Sequence, residues 1–272
     1  MRVVLISQVA SAVNGYYTFL RGLGHAPVAL LCTRQREDRY GVLEQMLAEA
    51  PADLDVVIPA SRDRIAPLLR QFEPDLVLCT GFPWKIPAEA LEVPKHGIVN
   101  GHPSLLPRYR GPSPVSWAIR NGETELGFTF HYMDAELDTG NVLAQAQVPL
   151  GDEYSWEELE PKLVTAIGEI FPTVLERAER DDPGDPQSEE DASYFTFFEP
   201  EYARIDWSRP AVEIERQVRA WRFHSARDTA QGALTELDGE TVRVLRVSRV
   251  PGEGRARECA DGTLWIVETE AA

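Results

Sequence analysis

Gly97-Ile98-Val99-Asn100-Gly101-His102-Pro103-Ser104-Leu105-Leu106-Pro107-Arg108-Tyr109-Arg110-Gly111 is the stretch on which the reading of this chain turns. Its apolar opening reads as a buried strand, and Pro103, Pro107 and Pro112 stiffen the loop that follows. Side chains alternate across a strand with a period of two, so Asn100 and His102 point the same way near its end. An amide and an imidazole are thereby paired where a loop begins.

Working outward, apolar strand-like runs precede this one at Val3–Ser7, Val28–Thr33, Asp55–Pro59 and Leu76–Thr80, with helix-compatible stretches between most of them. That alternation predicts an α/β fold with a parallel sheet covered on both faces. Two further runs, Gly127–Met133 and Val142–Val148, follow closely across an acidic turn and read as an antiparallel pair added to the sheet. A helix is expected from about Ser155 to about Arg180, with Ser155 as N-cap and Glu157 and Glu158 in its first turn. The acidic Pro/Gly stretch from Asp181 to Asp191 breaks it. Beyond lie Ile205-Asp206-Trp207, a helix around Ala211–Trp221 and strands at Thr241–Val247 and Thr263–Val267, which predict a small β-rich C-terminal domain. The expected division is 1–187 for a catalytic domain and 188–272 for that small domain.

The chain has 272 residues, 43% of them hydrophobic, enough for a packed core. Its formal net charge of -17 repels polyanions, so nucleic acid is not expected as a partner and a small or cationic substrate is. Cys32, Cys79 and Cys259 show no paired spacing, and the first two sit in apolar runs that read as core. The N-terminal run reads as a buried strand and not a signal peptide, and no segment has the length of a membrane span. A cytoplasmic, soluble protein is expected, with no metal site and with a homodimer left open.

A second segment supplies a carboxylate. Thr129-Phe130-His131-Tyr132-Met133-Asp134-Ala135-Glu136-Leu137-Asp138-Thr139-Gly140 runs from an apolar strand into a turn closed by glycine. Amide, imidazole and carboxylate together suit acylation of an amine. The block N-x-H-P-S-L-L-P-x-Y-R-G followed by H-Y-M-D-A-x-L-D-T-G resembles the formyltransferases that use 10-formyltetrahydrofolate. The resemblance implies a Rossmann-like catalytic sheet and a shortened OB-like tail. It also implies that Asn100, His102 and Asp138 are catalytic.

Formyl transfer needs an oxyanion donor, a proton relay and a group to hold the relay. An amide does not titrate, so Asn100 suits the first task; His102 suits the second and Asp138 the third. Taken singly, each residue also has an ordinary use: Asn100 satisfying a strand-end carbonyl, His102 capping a turn, Asp138 making an Asx-turn. By resemblance the pterin is clasped by Phe82, Trp84 and Ile86, in the loop after Leu76–Thr80, and by the turn residues Asp134, Ala135, Glu136 and Leu137, partly through backbone groups. Loop packing is the alternative for each of those side chains. Ser104, Arg110 and Gly111 are candidate acceptor contacts, with Arg110 equally placed to pair with Glu123 or Glu125. His25, His96 and His131 read as structural or solvent-facing, and Trp221, Phe223 and His224 as core in preference to a ligand ledge.

The loop Ser7-Gln8-Val9-Ala10-Ser11-Ala12-Val13 has no glycine for a phosphate nest, which argues against a glycinamide ribonucleotide acceptor. The expected acceptor is a primary amine on a small metabolite, a nucleotide-linked amino sugar in the first place. Methionyl-tRNA is the alternative, opposed by the acidic balance and by the mixed charges of the loop from Thr33 to Tyr40. A formyltetrahydrofolate hydrolase and a non-catalytic folate-binding protein are the further readings.

Overall fold

The computed structural model describes residues 1–34, 41–224 and 232–272. Most of the mixed-sign loop from Thr33 to Tyr40 therefore lies outside the described residues. In chain order the elements are β1 (Arg2–Ser7), α1 (Ala10–Gly22), β2 (Ala26–Leu31), α2 (Val42–Glu49), β3 (Asp55–Val57), α3 (Ile65–Phe72), β4 (Leu76–Thr80), α4 (Ala88–Leu91), β5 (Ile98–His102) and α5 (Pro114–Asn121). They continue with β6 (Glu125–Tyr132), β7 (Val142–Pro149), α6 (Trp156–Glu179), α7 (Ala211–Arg222), β8 (Ala233–Leu237), β9 (Glu240–Ser248), β10 (Arg255–Cys259) and β11 (Gly262–Ala271).

One sheet of seven strands has the order β3-β2-β1-β4-β5-β6-β7. The first five are parallel to their neighbours and β6 is antiparallel to β5. The order reverses between β1 and β4, so successive right-handed crossovers put α1 and α2 on one face and α3 and α4 on the other. Packing bears this out. Val4, Ile6, Val77, Cys79 and Ile98 share a buried cluster with Ile65, Ala66 and Leu69 of α3 and Ala90 of α4. On the opposite face Tyr16 of α1 stacks on Phe171 of α6 at 5.5 Å, and Phe130 of β6 packs on both rings. Strands with both faces covered are apolar throughout, which is why β1 and β4 read as continuous hydrophobic runs.

The chain divides into two compact units, residues 1–107, 127–147 and 164–192 in the first and 108–126, 148–163 and 193–272 in the second. The break after 192 falls near the expected 187/188, but the second unit also takes two segments from the middle of the chain. Its sheet has the order β10-β11-β9-β8 and is antiparallel throughout. Helix α7 covers one face of it, with Ile214 against Leu264. Two of these strands, β8 and β10, are not evident from the sequence: Thr235 and Glu236 interrupt the short β8, and Arg255, Arg257 and Glu258 leave β10 without an apolar pattern.

Ser155 behaves as expected of an N-cap, its Oγ accepting from Glu158 N–H at 3.3 Å. At the other end of α6, Arg177 donates to Asp182, Asp185 and the Leu143 carbonyl, which fastens the acidic break onto β7. Asp182 and Asp185 are held below the usual carboxylate range by this guanidinium. The acidic stretch is thus a built connection and not a loose linker.

Candidate active site

The site is built on β5 and β6. Asn100 pairs with His131, and His102 with Thr129, across the antiparallel register. All four side chains therefore lie on one face of the sheet, and Cys79, opposite Asn100 on β4, shares it. Between them Gly101 faces the other way. A Cβ there would come 2.6 Å from the Tyr16 hydroxyl and 3.0 Å from the Phe128 ring, so only glycine lets the strand lie on that aromatic layer.

Asp138 reaches the same place from the turn after β6, in the left-handed conformation with φ of 59°. Its Oδ1 is 3.7 Å from His102 Nδ1, 3.7 Å from His131 Nε2 and 3.4 Å from Asn100 Nδ2. The expected trio thus converges, although the His102–Asp138 separation is that of an ion pair and longer than a hydrogen bond. His102 is 5% exposed, and Asp138 is half-buried. Cys79 sits beneath them, its thiol pushed up to about 12 by burial and by the Asp138 charge, so it is no nucleophile.

Specific contacts fix the turn. Asp134 Oδ1 accepts from Glu136 N–H and from Thr139 Oγ, an Asx-turn at the start of the acidic segment. Gln187 donates to the carbonyls of both Asp138 and Gly140, a brace the sequence did not reveal because it arrives 47 residues later. Gly140 lies against Tyr132, whose carbonyl oxygen would be 1.9 Å from any Cβ. Ala135, Glu136 and Leu137 are exposed. A cavity of about 280 Å³ lined by Tyr132, Asp134, Gly140, Asn141 and Pro183 shares this turn.

The loop after β4 contributes Phe82 and Trp84, which meet edge to face at 5.8 Å. Both are partly buried against the core, as is Met133. Ile86 is 3% exposed and belongs to the core itself.

Other expectations are corrected. His131 is neither solvent-facing nor apart from the site: it is 1% exposed, accepts from Asn100 Nδ2 at 3.1 Å and lies 2.8 Å from the Tyr132 carbonyl through Nδ1. The arginine paired with Glu123 is Arg108, not Arg110. Ser104 and Arg110 are buried. A Cβ on Gly111 would meet the Phe195 carbonyl oxygen at 2.0 Å. All three positions are closely packed within the loop. Thr129 braces the same loop by donating to the Ser104 carbonyl and accepting from Leu106 N–H. His25 meets the N-terminal amine, and His96 pairs with Asp181. Trp221 and Phe223 are buried, as expected of core, and His224 stacks on Phe198 at 4.2 Å.

Comparison with known proteins then decides the family. Residues 2–175 match the formyl transferase family and residues 198–272 its C-terminal domain. The chain belongs to the formyl transferase family. Formyl transfer from 10-formyltetrahydrofolate is the chemistry of that family. Among its curated relatives, the methionyl-tRNA formyltransferase of Geobacter sulfurreducens is 34% identical over 237 residues, covering 80% of this chain and 69% of the relative. That of Myxococcus xanthus is 37% identical over 215 residues, covering 74% and 67%.

The fold is shared with more distant proteins of known structure. HypX from Aquifex aeolicus, solved in complex with tetrahydrofolic acid, matches with a TM-score of 0.71 at 22% identity, covering 99% of this chain and 44% of HypX. This formyl transferase therefore spans less than half the length of HypX. The methionyl-tRNA formyltransferase from Clostridium thermocellum matches with a TM-score of 0.66 at 17% identity, covering 100% and 99% of the two chains. WlaRD, a sugar 3N-formyl transferase solved with dTDP and 5-N-formyl-THF, gives 0.60 at 17% identity, covering 89% and 93%. Among the described residues no helix is long and apolar enough to cross a membrane, and no group of three or more His, Cys, Asp or Glu is placed to hold a metal ion.

Proposed function

We propose that this chain moves a formyl group from 10-formyltetrahydrofolate to a primary amine, with Asn100, His102 and Asp138 as its catalytic residues. The observation that carries the reading is their meeting on one face of β5, drawn from two segments far apart in sequence, with Asp138 Oδ1 3.7 Å from His102 and 3.4 Å from Asn100. As the amine attacks the formyl carbon, Asn100 N–H donates to the oxygen that becomes an oxyanion. His102 takes the proton released as the new C–N bond forms and returns it to the folate nitrogen as the old C–N bond breaks. Asp138 favours the charged imidazole in between. Phe82, Trp84, the backbone at Ile86 and the turn from Asp134 to Leu137 flank the place for the donor.

For the acceptor, the relatives at 34% and 37% identity favour methionyl-tRNA over the amino sugar expected from the sequence. Their names also run against excluding nucleic acid as a partner. A small amine stays as the second reading because of the net charge of -17 and the pairing of tail arginines with carboxylates: Arg209 with Glu213, Arg249 with Glu215, Arg255 with Asp238. The test is to incubate the protein with 10-formyltetrahydrofolate and either methionyl-tRNA or a panel of nucleotide-linked amino sugars, and to weigh the products. One added formyl group on the methionyl-tRNA is the expected result; on a sugar alone it selects the second reading, and on none it sinks both.

A further inference from the structure

We infer that His131 is a positioning residue for formyl transfer, holding the amide of Asn100 so that its nitrogen faces the reacting group. The inference rests on the formyl-transfer reading of the site. Three observations lead to it. His131 Nδ1 lies 2.8 Å from the Tyr132 carbonyl oxygen, and a carbonyl only accepts, so Nδ1 carries the proton. Nε2 touches an amide nitrogen, which only donates, so Nε2 is the nitrogen that accepts. Asn100 Nδ2, 3.1 Å away, supplies one of its two hydrogens.

The opposite amide orientation is closed off on two sides. It would set Asn100 Oδ1 against the Nε2 lone pair and against Asp138 Oδ1, which lies 3.4 Å from the amide nitrogen. Both contacts would be acceptor against acceptor. In the observed orientation one hydrogen is committed to His131, and the other points to Asp138 across a contact long enough to be given up for a stronger one. A developing oxyanion is such a partner, since hydrogen bonds to charged oxygens are the stronger kind. With a side chain at 131 that cannot accept, the amide loses the contact that commits its first hydrogen, and its nitrogen is less often where the oxyanion forms.

The geometry is also sealed from competition by water, because His131 is 1% exposed. An exposed imidazole would exchange its partners with solvent; this one has the Tyr132 carbonyl at 2.8 Å on Nδ1 and, on Nε2, Asn100 at 3.1 Å with Asp138 Oδ1 farther off at 3.7 Å. The role is missed in the sequence because His131 and Asn100 become neighbours only through the β5–β6 register.

The test joins a structural readout to a kinetic one. Nitrogen-15 NMR of the wild-type protein should report His131 as the neutral tautomer protonated at Nδ1, whether or not the protein turns over. His131→Leu should lower kcat on the order of 10-fold, about what one hydrogen bond is worth, with KM for 10-formyltetrahydrofolate within about twofold. His131→Gln, whose amide oxygen extends toward the Nε2 position, should recover most of that loss. A tautomer protonated at Nε2 overturns the proposal, and so does a His131→Leu variant with wild-type kcat. If His131→Leu does not fold, the tautomer still decides. If the wild-type protein transfers no formyl group to any amine, the reading of the site fails while the His131–Asn100 contact is still judged by NMR.

Discussion

At the scale of single residues, the site separates tasks by chemistry. Asn100 offers a donor whose charge cannot change, and His102 a group whose charge can; Asp138 sits within ion-pair distance of the latter. Asn100→Ala should therefore lower kcat on the order of 100-fold, as loss of an oxyanion donor does elsewhere. Donor binding, followed by tetrahydrofolate fluorescence titration, should change far less; equal losses in both would mean that Asn100 serves binding. A second residue-level prediction concerns Gly140. Its Cβ position is occupied by the Tyr132 carbonyl oxygen at 1.9 Å, and backbone cannot step aside as a flexible side chain can. Gly140→Ala should cost roughly 1–3 kcal/mol, the usual range for forced overpacking, and should also reduce turnover by moving the turn that carries Asp138. Thermal melts and initial rates check the pair, and an unchanged melting temperature would show that the turn shifts freely.

At the scale of elements, the end of α7 holds a pH-sensitive contact. Burial lowers the His224 pKa from its ordinary 6.5 to about 4, and its neutral Nε2 accepts from Phe198 N–H at 3.2 Å. A proton therefore binds the unfolded chain more readily than the folded one between those values. The stabilising contribution is complete above pH 6.5 and is lost as pH falls toward about 4. His224→Gln keeps a hydrogen-bond acceptor without a titrating group, so its stability should decline less steeply over that window. Urea unfolding at a series of pH values measures this, and identical slopes for the two proteins would rule it out. Elements also show where sequence patterning fails. The run at β4 is buried at every position and apolar up to Thr80 because both faces are covered, and it is plain in the sequence. Strand β10, Arg255 to Cys259, carries two arginines and a glutamate on a sheet edge and has no such pattern.

At the scale of the whole molecule, charge and kinship point in different directions. A net charge of -17 opposes a polyanion, whereas relatives at 34% and 37% identity are methionyl-tRNA formyltransferases. If tRNA is the acceptor, its contacts come from a few arginines and not from a broad basic surface. Affinity for methionyl-tRNA should then fall with salt at a shallow slope, log K against log salt, of a few units at most. Filter binding across 50–300 mM salt is the measurement, on the order of the range over which counterion release is read. A slope near that of a protein making many phosphate contacts would mean that a concentrated basic face is hidden within the acidic total.

The sequence by itself determined the α/β class and the placement of most strands of the larger sheet, and it singled out Asn100, His102 and Asp138, which lie close together in the structure. Apolar runs of strand length record burial on two faces, and a period of two records which side chains share a face; both are local properties. Tertiary structure alone decided the company these residues keep. His131 joins them because β6 pairs antiparallel with β5 in one register, and Gln187 braces their turn from 47 residues away. Arg110 is buried while Arg108 takes Glu123. Such contacts depend on which distant segments are brought together and at what offset. A one-residue change of that offset would turn His131 to the opposite face without altering any local pattern, which is why the chain's own order of residues does not disclose it.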